Sequence, residues 1–192
     1  LPKELKKLSE SLAVTYYANL SVFRSAPDTW AIDQVFPIMP IHRLNKEPKE
    51  LGHFADLTCD SDGKLEKFID NGKIKNLLPL HELKTKEKYL IGLFLGGAYQ
   101  EVMGNLHNLF GSTNAVHIRF TEEGKYKVEH VIRGNTKSDV LEYLEHDPET
   151  LLERLRKSSE SAIQRGYLKI NDAQKLIEHV EASLRQSTYL QS

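Results

Sequence analysis

The sequence predicts an α+β fold, with a mainly antiparallel β domain followed by a C-terminal helical domain. From residue 12 to about residue 133, β-branched and aromatic runs are separated by Gly, Pro, Asn and Asp, which is typical of strands and turns. From residue 136 to residue 190, apolar residues recur at helical spacing. We therefore predict a β domain over residues 12–133, a helical domain over residues 136–190, and the tail of a preceding helix over residues 1–11.

The first part of the β domain is predicted to hold three strands. Ala13–Phe23 and Phe54–Thr58 carry β-branched and aromatic residues, and the turn sequence CDSDG ends the second. Tyr89–Leu95 is apolar without alternation, which predicts a central strand buried on both faces. Residues 25–44 contain three prolines, so we predict an ordered loop there with a short helical turn and an edge strand, not a central strand.

A hairpin and three helices are predicted to complete the chain. Ala115–Phe120 and Tyr126–Val131 flank the sequence TEEGK, which predicts a hairpin with Gly124 at positive φ. Three segments with helical periodicity follow. Asp147 is the predicted N-cap of the second, with Pro148 at the first helical position, where its missing N–H removes no hydrogen bond.

Composition excludes several classes of partner. Lys and Arg number 26 against 27 Asp and Glu, a formal net charge of -1, so the chain has no electrostatic footprint for nucleic acid or an anionic membrane. The longest apolar run, Leu90–Tyr99, is too short to span a bilayer. One cysteine excludes an internal disulfide and fits a reducing compartment, so we expect a cytoplasmic protein. Because the chain starts at Leu1, we also expect it to be a piece of a longer polypeptide.

The single thiol, Cys59, is followed by Asp60 and Asp62 at the predicted end of a strand. It is either a half-buried structural thiol or a functional group, since active-site side chains often project from such ends. The nearby carboxylates disfavour a thiolate, which favours a neutral proton donor over a nucleophile. A cysteine hydrolase would require a histidine within hydrogen-bonding reach of Cys59.

A second candidate site is Gly96–Gly111, with the sequence GGAYQEVMGNLHNLFG. Its two leading glycines allow a ligand to approach the backbone, and Tyr99 at the start of a short helix could complete an anion site. The alternative is a strand-turn-helix corner in which Tyr99 is a packed aromatic residue.

Four stretches resemble the C-terminal part of the biosynthetic arginine decarboxylase family: YYANLSVFRSAPDTWAIDQVFPIMPIHRL, DLTCDSDG, GAYQEVMGNLHNLFG and TYL. The resemblance runs from about Leu12 to Leu190. It implies the alanine-racemase-like architecture of a TIM-type barrel plus a β domain. The β domain predicted here is then the C-terminal β domain of fold-type III decarboxylases that use pyridoxal phosphate. The implied reaction converts L-arginine to agmatine and CO2 for polyamine and spermidine biosynthesis.

The resemblance also implies roles for individual residues. Cys59 falls where related decarboxylases have the cysteine that returns a proton to the α-carbon, and Asp60 where they have an acid near the distal end of the substrate. Tyr99 matches a tyrosine near the cofactor phosphate. In that family the strand end enters the active site of a neighbouring subunit, which implies a homodimer or a higher oligomer. The residues themselves show no pattern of metal ligands, whereas the resemblance allows Mg²⁺ as a second cofactor.

Two features depart from the complete family pattern. Leu20 stands where the ornithine decarboxylase relatives have an acid, so the carboxylate for the guanidinium must come from elsewhere. Asp60 is the first choice, with Asp28 and Asp33 behind it. The Schiff-base lysine, the phosphate loop and the barrel all lie upstream in the family, so we expect the chain alone to be inactive. The alternative is a non-catalytic folding and assembly module that lacks the cofactor.

Overall fold

The computed structural model describes residues 8, 11–85, 87–97 and 99–191. The chain divides into two compact units, Leu1–Asn108 and Leu109–Ser192. This division differs from the predicted boundary at residues 133–136, because the local pattern of residue types indicates helix or strand but not which segments pack together. The predicted domain limits therefore stay a prediction. The predicted helical tail over residues 1–11 lies outside the described residues, apart from Leu8 and Ser11.

Among the described residues of the first unit, two short helices follow the first strand, and seven strands and another short helix come after them, whereas the second unit holds a hairpin and longer helices. In the described part of the chain the strands are β1 (Val14–Tyr17), β2 (Phe36–Pro40), β3 (Glu50–Ala55), β4 (Lys64–Leu65), β5 (Phe68–Asp70), β6 (Lys73–Lys75), β7 (Leu78–Leu80), β8 (Ile91–Leu93), β9 (Ala115–Phe120) and β10 (Tyr126–Ile132). The helices are α1 (Val22–Ser25), α2 (Pro27–Ala31), α3 (Gln100–Met103), α4 (Lys137–Tyr143), α5 (Pro148–Gln164) and α6 (Ile170–Leu184).

The first unit contains two four-stranded sheets. In one, β3 pairs with β1, β4 and β7; in the other the order is β6-β5-β2-β8. The pairs β1–β3 and β2–β5 are parallel, and the other pairs in these sheets are antiparallel. Both sheets bury apolar side chains in one cluster, which includes Tyr16, Phe36, Phe54, Phe68 and Leu80. The predicted fold class, a mainly antiparallel β region followed by helices, is confirmed.

Three strand predictions were wrong. The strand predicted over Ala13–Phe23 ends at Tyr17, and Val22 and Phe23 belong to α1. The proline-rich strand β2 is internal, not an edge strand, and the apolar strand β8 is the edge, with intermediate exposure. The ladders beside β2 are short enough to accommodate its prolines. Pro37 contributes only its carbonyl oxygen, which accepts from Phe94 N–H at 2.9 Å. Pro37 therefore takes part in the sheet as an acceptor, which does not need the N–H that proline lacks.

The predicted hairpin and helix caps in the second unit are confirmed. Strands β9 and β10 pair antiparallel, and Gly124 in their turn has φ of 72°. Asp147 caps α5 by accepting from the N–H groups of Glu149 and Thr150, with Pro148 at the first helical position.

The hairpin presents one apolar face. Three cross-strand pairs lie on it, and all six side chains are exposed: Val116 with Val131, Ile118 with Val128, and Phe120 with Tyr126. Among the described residues, no helix is long and apolar enough to cross a membrane.

Candidate functional site

The polar residues that follow β3 form one hairpin loop, residues 56–63, here called the acidic loop. Strands β3 and β4 flank it, with Ala55 paired to Lys64. The loop is closed by a hydrogen bond from Asp56 N–H to Gly63 O, 2.8 Å. Cys59 therefore lies in an exposed loop beyond the strand end, not within a strand. A thiol in this position is free to face a ligand or a partner.

Asp56 organises the acidic loop, and sequence reasoning missed it. This residue is 3% exposed. Oδ1 accepts from both the N–H and the hydroxyl of Thr58 at 2.7 Å, and Oδ2 accepts from Val22 N–H at 2.8 Å. The spacing of an acid two residues before a threonine is an Asx-turn signal that could have found the first contact, but not the second. The loop is thereby tied to the start of α1.

Gly63 is required by this arrangement. A Cβ atom at residue 63 would lie 2.3 Å from both Asp56 Oδ1 and Thr58 Oγ1. Such distances are far inside van der Waals contact, so any side chain at this position would displace the buried carboxylate or the threonine hydroxyl.

Asn108 holds Cys59 through both atoms of its side-chain amide. Oδ1 accepts from Cys59 N–H at 3.3 Å, and Nδ2 donates to Cys59 Sγ at 3.4 Å. Because the backbone N–H is a donor, it must face Oδ1, and this fixes Nδ2 against the sulfur. An N–H group cannot accept the thiol proton, so that proton points away from Asn108. The amide fixes the position of the sulfur without taking its hydrogen.

Asp60 has two different environments for its two carboxylate oxygens. Oδ1 accepts from Asp62 N–H at 2.9 Å, within the turn of the acidic loop. Oδ2 lies 3.5 Å from His107 Nε2. The histidine ring in turn packs on Phe23 of α1, with ring centroids 4.2 Å apart. His107 is thus directed at the carboxylate, and Asn108 at the thiol, which is not the cysteine–histidine contact that a cysteine hydrolase requires.

The two candidate stretches of the sequence therefore meet. Residues 96–108, here called the tyrosine segment, end at His107 and Asn108, which contact the acidic loop at Asp60 and Cys59. Asn108 adopts a left-handed conformation, φ 52° and ψ 28°, a region that asparagine tolerates better than most residues. The sequence placed candidate residues on both stretches but carried no signal that they touch.

The other two candidate acids lie elsewhere in the first unit. Asp33 is exposed, and both its carboxylate oxygens accept from Lys67 Nζ, at 2.8 and 2.9 Å. Asp28 of α2 is 3% exposed, and its Oδ1 has no hydrogen-bond partner among the described residues. Oδ2 faces Gly97 of the tyrosine segment, where a Cβ atom would lie 3.2 Å from it.

Tyr99 lies at the N-terminus of α3 with 60% of its surface exposed, and its side chain does not cap the helix. It is therefore not the packed aromatic of the alternative interpretation. An exposed tyrosine hydroxyl can donate one uncharged hydrogen bond to a phosphate group. One uncharged donor does not by itself hold a phosphate, so Tyr99 fits a contributing contact. In the described part of the chain no three His, Cys, Asp or Glu side chains are grouped to hold a metal ion.

Comparison with known proteins places these features in a family. Residues 138–190 match the arginine decarboxylase C-terminal helical extension. The chain is 72% identical over 191 residues to a biosynthetic arginine decarboxylase of Prochlorococcus marinus, covering 100% of this chain and 30% of that protein. The biosynthetic arginine decarboxylase of a Synechococcus species is 70% identical over 191 residues, again covering 100% of this chain and 30% of that protein.

A solved structure agrees with the sequence matches. The crystal structure of biosynthetic arginine decarboxylase SpeA from Campylobacter jejuni has a TM-score of 0.79 and 35% identity, over 93% of this chain and 29% of that chain. The chain spans about 30% of the length of the curated relatives it matches. The predicted resemblance is confirmed, and this chain corresponds to the C-terminal portion of the biosynthetic arginine decarboxylases.

Proposed function

We propose that this chain is the C-terminal part of a pyridoxal-phosphate-dependent enzyme that converts L-arginine to agmatine and CO2, and that it contributes the proton donor. The observation that carries the proposal is that His107 and Asn108 converge on Asp60 and Cys59 of the exposed acidic loop. A thiol that is fixed in place, with its proton directed away from its holder, suits the delivery of that proton to a bound substrate.

Bound pyridoxal phosphate would supply the electron sink that loss of CO2 requires. Cys59 Sγ then gives its proton to the α-carbon of the substrate. As the sulfur loses the proton it becomes negative, and the hydrogen bond from Asn108 Nδ2 strengthens. This contact therefore favours the transition state more than the ground state, which is the condition for catalysis. Tyr99 contributes one hydroxyl to the cofactor phosphate.

The distal end of the substrate is a cation that needs a carboxylate. Asp28, Asp33 and Asp60 are the candidates that this chain offers. The exposed position of Cys59 supports a site shared with a second subunit, because the thiol is open to a partner surface. We propose the homodimer or higher oligomer and the cytoplasmic location on the basis of the family. The described residues group no three His, Cys, Asp or Glu side chains for a metal ion, and the proposed roles of Cys59, Asn108 and Tyr99 involve no Mg²⁺.

The test is Cys59→Ala in the complete enzyme. Turnover should fall while cofactor binding is retained, because a missing proton donor affects the transition state and not the ground state. Misdirected protonation should also raise the share of aldehyde by-product formed by transamination. Wild-type turnover with clean agmatine would instead mean that Cys59 is a structural thiol and not the proton donor. The 192-residue chain alone should release no CO2 from arginine.

A further inference from the structure

Helix α1 carries both loops of the candidate site. Val22 N–H donates to Asp56 Oδ2 at 2.8 Å and so anchors the acidic loop. On the next residue of the helix, Phe23 O accepts from Asn105 N–H of the tyrosine segment at 3.1 Å. The placement of one loop relative to the other is therefore set by how each is fixed to this short helix.

Arg24, the third residue of α1, reaches the middle of the tyrosine segment. Its Nη1 donates to Gly104 O at 3.0 Å, and its Nη2 donates to Glu101 Oε2 at 3.3 Å. The Arg24 side chain is 17% exposed, whereas that of Glu101 is 81% exposed. Because water screens the ion pair with Glu101, that pair contributes little. The hydrogen bond to the backbone carbonyl of Gly104 is the contact that fixes the segment.

Gly104 packs directly on Arg24. It ends α3, and its N–H donates to Gln100 O at 3.0 Å. A Cβ atom at residue 104 would lie 2.9 Å from Arg24 Nη1 and 2.9 Å from Arg24 O. The φ of -63° is open to any residue, so glycine is required here by close packing and not by backbone conformation. The segment and the arginine are thus in contact with no room for a side chain between them.

The tyrosine segment runs from this anchor to the thiol. Asn108 follows Gly104 by four residues, and the intervening turn is held by a hydrogen bond from His107 N–H to Asn105 Oδ1 at 2.9 Å. Asn108 then holds Cys59 through both atoms of its amide. The position of Gly104 on α1 therefore determines where the Asn108 amide lies relative to the Cys59 sulfur.

We propose that Arg24 is a positioning residue for proton transfer, because its guanidinium fixes the tyrosine segment on α1 and so keeps the Asn108 amide on the Cys59 thiol. The inference rests on the function proposed above, in which Cys59 gives its proton to the α-carbon of the substrate. Such a transfer requires the donor to be within hydrogen-bonding reach of the atom that it protonates. A loosened segment leaves the thiol in the loop but no longer fixes its direction.

The first experiment uses the complete decarboxylase with arginine as substrate. Arg24→Met keeps an unbranched side chain but removes its donors. It should lower kcat by about threefold to tenfold and raise the share of aldehyde by-product. Arg24→Lys, which keeps a charged donor for Gly104 O, should restore most of both. Glu101→Gln removes the charge of the exposed partner alone and should match wild type.

The share of aldehyde separates positioning from a merely structural role. It is counted per turnover, so a smaller fraction of folded enzyme would lower the total rate and leave this share unchanged. Gly104→Ala, which keeps Arg24 but pushes the segment away from it, should raise the share as Arg24→Met does. An unchanged share in either variant would overturn the inference, and so would a Glu101→Gln enzyme that behaves like Arg24→Met.

A double-mutant cycle on the 192-residue chain tests the route through Asn108 without cofactor or substrate. The rate at which Cys59, the only thiol, reacts with a disulfide reagent is measured in Arg24→Met, Asn108→Ala and the double variant. Because Arg24 acts through Asn108, the rate in Arg24→Met should shift toward that of Asn108→Ala, and the double variant should match Asn108→Ala. A wild-type rate in Arg24→Met, or independent changes that multiply in the double variant, would overturn the inference.

The two experiments fail separately. If Cys59→Ala keeps wild-type turnover with clean agmatine, the proposed role of the thiol fails. The cycle on the 192-residue chain then still reports whether Arg24 positions Asn108 on Cys59.

Discussion

The helix caps of the second unit and the candidate site of the first unit are built by contacts of different range. In the second unit, Asp147 caps α5 through N–H groups two and three residues away. In the first unit, Asp56 bonds to Val22 across 34 residues, and Asn108 bonds to Cys59 across 49 residues. The helix caps of the second unit are specified by local sequence, whereas the candidate site exists only when distant segments are brought together.

The largest effect is expected in the first unit, from Asp56→Ala. The substitution leaves the N–H groups of Val22 and Thr58 without their acceptor, and hydrogen bonds to charged groups contribute about 1.5–3 kcal/mol each. We expect a loss of unfolding free energy of about 3 kcal/mol or more, measured by urea denaturation. Asp62→Ala, in the same loop, is the control. A loss as small as that of the control would mean that Asp56 does not hold the loop.

The next effect concerns the contact between Asn108 and Cys59. In the complete enzyme, Asn108→Ala should lower kcat by about tenfold, equivalent to about 1.4 kcal/mol, with little change in KM. The share of aldehyde by-product should rise as kcat falls.

A readout on the 192-residue chain separates this role from catalysis. Cys59 is its only thiol, so the rate of reaction with a disulfide reagent reports on that residue alone. Asn108→Ala should change this rate, and Asn114→Ala, in the second unit, should not. Identical rates in all three proteins would show that Asn108 does not control the thiol.

A smaller effect is expected from a helix cap in the second unit. Thr136 and Asp139 form a capping box at the start of α4, in which each side chain bonds to the backbone N–H of the other. Thr136→Ala should lower the free energy of unfolding by about 1 kcal/mol. Hydrogen exchange should show faster opening of α4 amides while the amides of β3 keep wild-type protection. Equal acceleration in both elements would contradict the local character of this cap.

The smallest effect is a difference in pH response between the two units. In the first unit, burial raises the pKa of Tyr16 and of Tyr89 above the usual value. The folded state keeps the two tyrosine protons to higher pH than the unfolded state does. The contribution of these tyrosines to folding stability is therefore complete below about pH 10, and it is lost as pH rises through the folded pKa.

In the second unit the sign is reversed. The hydrogen bond from Thr136 N–H lowers the pKa of Asp139, and the bond from the Thr150 hydroxyl lowers the pKa of Asp147. These carboxylates stabilise the helices above their unfolded pKa of about 4, and the contribution is lost as pH falls through the folded pKa. Hydrogen exchange corrected for intrinsic rates should show α4 and α5 weakening first in acid, and β1 weakening first in alkali. If β1 weakened first in acid and α4 and α5 weakened first in alkali, the predicted link between these residues and the pH response would be wrong.

Sequence reasoning succeeded where the physical cause is local. The Asp147 cap, Pro148 at the first helical position and the positive φ of Gly124 all depend on adjacent residues, and all were predicted. The order of β2 and β8 was predicted wrongly, because a strand's place in a sheet depends on partners elsewhere in the chain. For the same reason the sequence suggested Cys59 and Asp60 by resemblance, but did not reveal their contacts with Asn108 and His107.

The close approach at Gly63 has a consequence for how this loop can vary in evolution. With a Cβ position 2.3 Å from two oxygens, residue 63 cannot change alone while Asp56 and Thr58 keep their places. We expect these three positions to covary among related sequences, so that a larger residue at 63 accompanies a shorter one at 56 or 58. In a deep mutational scan, the tolerated double substitutions should reveal this coupling where single substitutions at 63 are depleted.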